Sequence, residues 1–307
     1  MRILVTGGAG FIGSNLVDRL VEEGHRVSIV DNLSTGKKKN LNRAAKFYKM
    51  DVVSPKLEKV FKRERPEVVS HHAAQMDVRR SVADPLFDAH VNILGFLNVL
   101  ENGVKAGTQR IIFASSGGAI YGEQTVIPTT EECSTQPLSP YGVSKLSGEH
   151  YLYFYQKNSG LDYTSLRYSN VYGPRQDPFG EAGVVAIFAQ KMLKGEQPLI
   201  NGNGNQTRDY VFVEDVVEAN MAVLNNSKNG IFNVGTGIET SVNQLFQIIN
   251  EITGASVKEQ HGPERRGEQK RSVLSFDKLA KDLDWSPRVS LFHGLEKTVD
   301  FFRPIMK

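Results

Sequence analysis

Several features that would point to particular classes of protein are missing from this chain. Its only cysteine is Cys133, so it forms no intrachain disulfide and no thiolate metal cluster, and we expect a cytoplasmic protein. No apolar run reaches the roughly 20 residues of a transmembrane helix. The first predicted strand begins at residue 2, so we also expect no secretory signal. Internal repeats and low-complexity tracts are absent.

The patterns of charge and histidine argue against two further classes. The net charge of the 307 residues is +3, and apart from a basic run at 37–39 the lysines and arginines are scattered, which gives nucleic-acid binding little support. His71 and His72 are adjacent, so their side chains point apart on an extended segment, and no metal-ligand spacing accompanies them. We therefore expect neither a nucleic-acid partner nor a metal.

A glycine-rich turn separates a predicted strand from a predicted helix at the start of the chain. Residues 2–6 are a short apolar run, and the helix that follows runs to about residue 23. Gly7 permits the tight turn, Gly10 lets the backbone approach a pyrophosphate, and Gly13 allows close packing of the helix on the strand. Because free N–H groups at a helix N-terminus favour anions, this arrangement predicts a dinucleotide site.

Asp31 indicates which dinucleotide binds. It ends a second predicted strand, residues 26–30, where its carboxylate can accept hydrogen bonds from ribose hydroxyls but would repel a 2′-phosphate. The basic run at 37–39 could neutralise such a phosphate. No arginine directly follows Asp31, however, and a solvated loop face explains the run more simply. We predict NAD.

Short strands alternate with helical segments in the first half of the chain. Strands are predicted near 46–49, 67–70, 109–114 and 162–168, and a long helix begins with Asp84 as N-cap and Pro85 at its first position. This alternation is typical of a doubly wound parallel sheet, which binds ligands at the carboxyl ends of its strands.

The alternation loosens beyond about residue 170, where helices are predicted at 183–194, 214–226, 241–253 and 290–303. We therefore predict an α/β protein with a Rossmann domain and a smaller, discontinuous C-terminal substrate-binding domain. The first comprises residues 1–168 with about 207–234, and the second comprises about 169–206 and 235–307.

Tyr141 and Lys145 lie four residues apart at the start of a helix and so share one face. Lowering a tyrosine pKa from ~10 to ~7 requires roughly 4 kcal/mol, and a neighbouring ammonium at low dielectric can supply much of it. By its spacing alone, such a pair is more often an ordinary surface pair. The predicted dinucleotide site is the context that favours a catalytic base.

With these residues assembled, the chain resembles the extended short-chain dehydrogenase/reductase superfamily, and within it the UDP-galactose (UDP-glucose) 4-epimerases. The resemblance runs from residue 1 to about the last helix. It is carried by Thr6–Gly13, Asp31–Leu33, Ser139–Lys145, Leu166–Asn170, Arg208–Tyr210 and Pro263–Glu268.

The resemblance implies a reaction and its catalytic residues. Tyr141 would take the proton of the sugar 4-hydroxyl while the C4 hydride passes to NAD⁺, and the 4-keto sugar would turn before the hydride returns. Lys145 would lower the tyrosine pKa and hold the nicotinamide ribose. Ser116 would hydrogen-bond the reacting oxygen, although a serine capping local backbone is an alternative. Alignment from the strand selects Ser116, whereas alignment back from Tyr121 selects Gly117.

The resemblance also implies binding residues. For the cofactor these are Gly7, Gly10, Phe11, Ile12, Gly13, Asp31, Asn32, Asp51, Val52, Ala73, Ala74, Asn92, Tyr141, Lys145 and Tyr168. Asp51 could instead start a helix, and Tyr168 could be a core aromatic. For the substrate they are Ser116, Tyr141, Asn170, Val184, Arg208, Arg265 and Ser272.

Some of the substrate residues can be judged by the chemistry of their side chains. Arg208 and Arg265 match arginines that bind the pyrophosphate, although each alone could be a surface arginine. Asn170 could simply shape a turn. At the position of Ser272 a bulky aromatic tends to exclude N-acetylated sugars, so its small side chain predicts activity on UDP-Glc/UDP-Gal and on UDP-GlcNAc/UDP-GalNAc.

The residues directly after Ser116 argue against two related activities. Sugar 4,6-dehydratases carry an Asp-Glu pair after the catalytic Ser/Thr, and UDP-glucuronate decarboxylases a glutamate, where this chain has glycine. A UDP-glucuronate 4-epimerase and a nucleotide-sugar NAD(P)-dependent reductase stay open as alternatives. The superfamily also implies a homodimer through the helix bearing Tyr141 and the long helix before it. The aromatic run at 151–155 fits that interface or a core equally well.

Overall fold

The computed structural model describes residues 1–178, 183–226, 228–264 and 269–303. Its strands are β1 (Arg2–Thr6), β2 (Arg26–Asp31), β3 (Lys46–Lys49), β4 (Val68–His71), β5 (Arg110–Ser116), β6 (Asp162–Tyr168), β7 (Asn170–Tyr172), β8 (Ile200–Asn201), β9 (Thr207–Arg208), β10 (Tyr210–Phe212), β11 (Gly230–Val234), β12 (Thr240–Ser241), β13 (His261–Gly262) and β14 (Arg271–Ser272). In these ranges no helix has the length and apolar character that crossing a membrane requires.

The helices follow the predicted order. They are α1 (Phe11–Glu22), α2 (Leu57–Glu64), α3 (Val78–Ala83), α4 (Pro85–Ala89), α5 (Gly95–Ala106), α6 (Gly117–Ile120), α7 (Pro140–Ser159), α8 (Val184–Leu193), α9 (Val213–Leu224), α10 (Val242–Thr253), α11 (Asp277–Leu283) and α12 (Leu291–Phe302). A π-helical turn, His90–Leu94, joins α4 to α5. The long helix predicted from Asp84 and Pro85 is thus confirmed, with one widened turn inside it.

The main sheet has seven strands, β1 to β6 and β11, in the order β11-β6-β5-β4-β1-β2-β3. Neighbouring strands are parallel throughout. Starting at β1, the chain winds first to one edge and then to the other, which is the doubly wound Rossmann arrangement. The predicted fold class is confirmed. Because the strands are parallel, the carboxyl ends of β1, β4 and β5 lie side by side at one edge of the sheet.

Helices cover both faces of this sheet and bury its apolar side chains. On one face α1, α9 and α11 contribute Leu16, Val217 and Leu279. On the other face α2, α5 and α7 contribute residues such as Phe61, Phe96 and Leu152. Strands buried on both faces read as nearly continuous apolar runs, as residues 2–6 do.

A separate core lies in the C-terminal part of the chain. It joins α8, α10 and α12 to β7 and β10 through residues such as Phe188, Phe246 and Leu295. The helices predicted at 183–194, 214–226, 241–253 and 290–303 correspond to α8, α9, α10 and α12 within two residues. Leu279 and Trp285, which lie inside the predicted substrate domain, pack instead into the core of the sheet.

Candidate active site

The glycine-rich turn after β1 is shaped by backbone packing. Gly7 has φ +70°, and a Cβ there would lie 2.6 Å from the backbone nitrogen of Ala73. A Cβ on Gly13 would overlap the carbonyl oxygen of Gly7. Gly10 donates its backbone N–H to that same oxygen at 3.0 Å. Turn and helix approach each other so closely that neither Gly7 nor Gly13 can carry a side chain.

A side chain at Gly10 would meet less of the protein than one at Gly7 or Gly13. A Cβ on Gly10 would meet only the Gly7 oxygen, at 3.1 Å, among the described residues. Gly10 is also the N-cap of α1, and no side chain caps this helix. The first backbone N–H groups of the helix, at Phe11, Ile12 and Gly13, therefore have no intrahelical acceptor. An uncapped helix N-terminus next to an open glycine fits the pyrophosphate of a dinucleotide.

Asp31 stands at the end of β2, where the sequence placed it. Its carboxylate is mostly buried and accepts the backbone N–H groups of Ala9, at 3.0 Å, and Leu33, at 2.8 Å. A Cβ on Gly36 would lie 2.8 Å from it, so the following loop passes close by. Lys37 pairs with Asp177 at 3.2 Å. This acidic strand end, with Lys37 of the basic run paired to Asp177, fits NAD.

Asn32, Asp51 and Val52 form the next part of this edge. Asn32 donates to Asp51 Oδ2 at 2.8 Å, and Asp51 Oδ1 accepts the backbone N–H of Val53 at 3.1 Å. Val52 is buried against Gly95, where a Cβ would lie 2.8 Å from Val52 Cγ2. Asp51 therefore shapes a turn, and the alternative that it starts a helix does not hold, because α2 begins at residue 57.

The end of β4 carries the adjacent histidines and Ala73. Thr6 Oγ1 lies 2.8 Å from His71 Nδ1 and accepts the backbone N–H of Ala73 at 3.2 Å. Burial, reinforced by the charge of Lys145, holds the pKa of His71 well below its usual range and lowers the pKa of His72 to about 3. Both imidazoles are neutral. Across the described ranges, no three His, Cys, Asp or Glu side chains converge as a metal site requires.

Tyr141 and Lys145 lie on the first turns of α7. Ser139 caps the helix by accepting the N–H of Gly142 at 3.2 Å, and Pro140 occupies its first position. Lys145 Nζ lies 5.8 Å from the centroid of the Tyr141 ring and donates to the carbonyl oxygen of Ala114 at 2.7 Å. Burial lowers the pKa of Lys145 to about 8, although nearby carboxylates oppose the change. The ammonium lies beside the phenol, as the spacing predicted.

Ser116 is the last residue of β5, on the edge where Tyr141 lies. Successive side chains of a strand point to opposite faces, and the preceding Ser115 donates to Glu149 inside the core at 2.7 Å. At Gly117 a Cβ would overlap Leu274. Between the two possible alignments, the geometry favours Ser116, because the Gly117 position has neither a hydroxyl nor room for one.

The side chains of Tyr168 and Asn92 are both buried in the protein. The Tyr168 hydroxyl interacts with Asn220, whose Nδ2 lies 2.9 Å away, and the ring belongs to the core of the sheet. Asn92 sits in the π-helical turn and accepts the backbone N–H of Gln75 at 2.9 Å. For Tyr168 the geometry favours the core interpretation, while contact of Asn92 with the cofactor stays a prediction.

The substrate residues come together from separate segments. Arg208 in β9 lies directly opposite Ser272 in β14, and Asn170 in β7 lies opposite Tyr210 in β10. A Cβ on Gly118 would lie 3.9 Å from Asn170 Oδ1, so Asn170 faces the turn that follows Ser116. Val184 is the first residue of α8. Arg265 lies outside the described residues.

Two buried carboxylates near α7 were not predicted from the sequence. Glu149 holds Arg167 through two hydrogen bonds, 3.0 and 2.6 Å, and accepts from Ser115. Asp88 accepts from Ser144 at 2.6 Å. The sequence contains one signal that could have identified these carboxylates. Glu149 lies four residues after Lys145, and Asp88 lies four residues before Asn92. At that helical spacing each pair shares a face.

The comparisons with known proteins agree with this geometry. Residues 3–235 match the model of the NAD dependent epimerase/dehydratase family. A putative UDP-glucose 4-epimerase of Methanocaldococcus jannaschii is 49% identical over 301 residues, covering 98% of each chain. The structure of a Thermotoga maritima UDP-glucose 4-epimerase with UDP-glucose matches at 51% identity and a TM-score of 0.98, covering 100% of both chains.

A second solved structure extends the likeness. The Thermus thermophilus UDP-glucose 4-epimerase in complex with NAD is 45% identical, with a TM-score of 0.94 and 99% of each chain covered. The family model matches the region that carries the glycine turn, Asp31, Ser116, Tyr141 and Lys145. The chain belongs to the NAD-dependent epimerase/dehydratase family.

Proposed function

We propose that the protein is an NAD-dependent epimerase that inverts C4 of a UDP-hexose, interconverting UDP-galactose and UDP-glucose. The observation that carries the proposal is the buried Lys145 ammonium 5.8 Å from the Tyr141 ring at the carboxyl edge of the sheet. The related proteins named UDP-glucose 4-epimerase over nearly the whole chain support this substrate.

The chain's own residues would bind the cofactor and move one proton. The α1 N-terminus and Asp31 would hold NAD, which when bound accepts and returns the hydride of the sugar C4. Tyr141, as phenolate, would take the proton from the 4-hydroxyl oxygen and later give it back to the 4-keto oxygen. Lys145 would stabilise the phenolate by its charge. Ser116 would donate a hydrogen bond to the same oxygen.

For C4 to invert, the sugar ring has to turn in the site. The protein must therefore hold another part of the substrate. Arg208 supplies planar donors suited to a diphosphate, and Asn170 faces the turn beside Ser116. We propose that these residues, with Val184 and with Arg265 outside the described part, anchor the UDP portion. The region around α8, α10 and α12 would then be the substrate-binding region, joined to the NAD-binding sheet.

The direct test is to incubate the purified protein with UDP-galactose and to separate the nucleotide sugars. We expect UDP-glucose to form without net consumption of added NAD. The Tyr141→Phe variant removes only the hydroxyl, so epimerisation should fall by about 10²–10⁴-fold while bound NAD is retained. Absence of UDP-glucose from the wild-type reaction would refute the proposal.

The substrate range can be tested at Ser272. We propose that UDP-GlcNAc and UDP-GalNAc are also accepted, because this small side chain lies directly opposite Arg208. In Ser272→Tyr the added ring should abolish the N-acetyl activity and leave part of the UDP-galactose activity. Ser272→Ala is the size-matched control and should keep both. A wild-type protein inactive on UDP-GalNAc would contradict this extension.

A homodimer is proposed from apolar side chains on the surface of α4, α7 and the π-helical turn. Leu86, Leu94, Tyr153 and Phe154 are all more than half exposed, whereas Tyr155 packs into the core. Such a patch is typical of an interface between subunits. Sedimentation of a Leu86→Glu/Phe154→Glu variant should show monomers. Ile238→Glu, at an exposed apolar site in another region, should leave the dimer intact.

A further inference from the structure

Asp88 joins four separate parts of the chain beneath the catalytic helix. It lies on α4 and is fully buried. Its Oδ2 atom accepts the hydroxyl of Ser144 on α7 at 2.6 Å. Its Oδ1 atom accepts the side-chain amides of Asn92, at 2.9 Å, and of Gln75, at 3.0 Å. Ser144 is the residue directly before Lys145.

The hydrogen bonds around Asp88 use its carboxylate oxygens as acceptors. Asn92 Oδ1 accepts the backbone N–H of Gln75 at 2.9 Å, and Gln75 Oε1 accepts the backbone N–H of Asp77 at 2.6 Å. A backbone N–H can only donate, so the orientation of both side-chain amides is determined. Both NH₂ groups must then donate to Asp88, and Oδ1 acts as a double acceptor.

Asp88 and Lys145 are both buried, and in the described part of the chain neither has an ion-pair partner within 4.0 Å. Every donor to Asp88 is a neutral group, and Lys145 donates to the neutral carbonyl of Ala114. The other nearby anion, Glu149, is already paired with Arg167 at 2.6 Å. A buried charge is costly unless a counter-charge lies near it. The charge of Asp88 is near enough to Lys145 to oppose the loss of its proton.

The remaining groups around Lys145 cannot replace Asp88. From its own helix it is faced by Tyr141 and Glu149, and from β4 by His71 and His72, whose pKa values are lowered by burial. Burial lowers the pKa of Lys145 to about 8, and Asp88 is the first of the two carboxylates that oppose this change. The neutral histidines add no negative charge and Glu149 is paired with Arg167, so Asp88 is the nearby carboxylate that no described cation neutralises.

We propose that Asp88 is a positioning residue that keeps Lys145 charged, and that it thereby sets the pH above which Tyr141 stops acting as a base. The inference rests on the proposed epimerase function. Without the ammonium beside it, the Tyr141 phenolate loses its main stabilisation. Loss of the Asp88 charge therefore brings the deprotonation of Lys145, and with it the fall in activity, to lower pH.

The test is the pH profile of kcat in Asp88→Asn, a variant that keeps the size of the side chain and removes its charge. We expect the basic limb to move down by about one pH unit, with an unchanged KM for UDP-galactose and unchanged bound NAD. Ser144→Ala is the matched control, since it removes a hydrogen bond to Asp88 but no charge, and its basic limb should stay in place. If Asp88→Asn does not fold, Asp88→Ser is the neutral variant to measure.

The outcomes separate this inference from the function on which it rests. A wild-type protein that epimerises no UDP-hexose overturns the proposed function. A working wild-type enzyme whose basic limb is the same in the neutral Asp88 variant overturns the role of Asp88. An equal loss of kcat at every pH in Asp88→Asn and Ser144→Ala also overturns it, because that result marks a purely structural network.

Discussion

The catalytic edge of the sheet and the substrate region are built in different ways. At the edge that carries the proposed catalytic residues, Ser116 ends β5, and Tyr141 and Lys145 lie at the start of α7, the second helix after that strand. In the substrate region, Arg208 meets Ser272 only because β9 pairs with β14 in a three-stranded ladder. The first arrangement follows from local order along the chain, and the second depends on contacts between distant segments.

The two regions also differ in how deeply their charged side chains are buried. Around Tyr141, the proposed base, four charged residues are buried: Lys145, Asp88, Glu149 and Arg167. Arg208 is half-buried in the substrate region, where a charged ligand has to enter and leave. Coulomb interactions are stronger where water is excluded. In the proposed function, buried charge would adjust the pKa of Tyr141, whereas the more accessible charge of Arg208 would bind the substrate.

The buried carboxylate of Asp209 holds the substrate region in place. It accepts the backbone N–H groups of Thr236, at 2.9 Å, and Leu274, at 3.2 Å. Leu274 in turn packs against Gly117, directly after Ser116. The strand that follows Arg208 is thereby tied to the turn at the catalytic serine, which is how the two regions keep a common geometry.

Among the expected effects on ligand binding, the largest concerns Arg208 and disrupts the substrate region alone. In Arg208→Ala a charged donor to the diphosphate is lost, so kcat/KM for UDP-galactose should fall by about 10–100-fold, or ~1.4–2.8 kcal/mol. Bound NAD should be unchanged, because Arg208 lies outside the glycine turn. Steady-state kinetics and NAD content after acid release check both points. Loss of NAD in this variant would show that the regions are not separable.

The next prediction concerns the cofactor site and compares alanine substitutions at two glycines of one turn. Gly13→Ala forces a Cβ onto the Gly7 oxygen, so both NAD binding and the free energy of unfolding should fall, the latter by about 1–3 kcal/mol. Gly10→Ala should weaken NAD binding with a smaller loss of stability in the NAD-free protein, since its Cβ would meet only the Gly7 oxygen, at 3.1 Å. Urea unfolding of the NAD-free variants distinguishes them. Equal stability losses would contradict the assigned roles.

The smallest expected effect concerns the stability cost of the catalytic charge. The folded pKa of Lys145, about 8, lies below the ordinary lysine value. Near neutral pH the lysine is charged in both states, and its burial cost is fully present. As pH rises from the folded pKa to the ordinary one, the unfolded chain binds more protons, so stability rises.

This cost can be measured with Lys145→Met. The variant should be inactive, and its stability relative to the NAD-free wild type should fall as the pH rises from neutral towards the ordinary lysine pKa, because only the wild type gains stability over that range. Urea unfolding at several pH values is the measurement. A difference in stability that does not change with pH would contradict this prediction.

Local features of the chain were predictable because short-range patterns determine them. Strand-length apolar runs, the N-cap and proline at Asp84 and Pro85, and the spacing of Tyr141 and Lys145 all appear in the structure where the sequence placed them. Helix and strand periodicity act over a few residues. Family membership also follows from such motifs.

Long-range polar contacts were not predictable in the same way. The bond from Asp88 to Ser144 and the packing of Leu274 on Gly117 join segments far apart in sequence. A polar residue on a helix face looks the same in sequence whether it faces solvent or a buried partner. The choice between Ser116 and Gly117 also waited for the structure, since only the packing of Leu274 shows that a side chain at Gly117 has no room.

The sequence by itself determined the strand–glycine turn–helix unit, the acidic end of β2 and the helical spacing of Tyr141 and Lys145, because each is an interaction between near neighbours. Only the tertiary structure decided which charges surround that lysine, and which strand lies beside Arg208. The physical reason is that burial and pairing of charges depend on how distant segments pack, and that packing sets the dielectric and the partners each group meets.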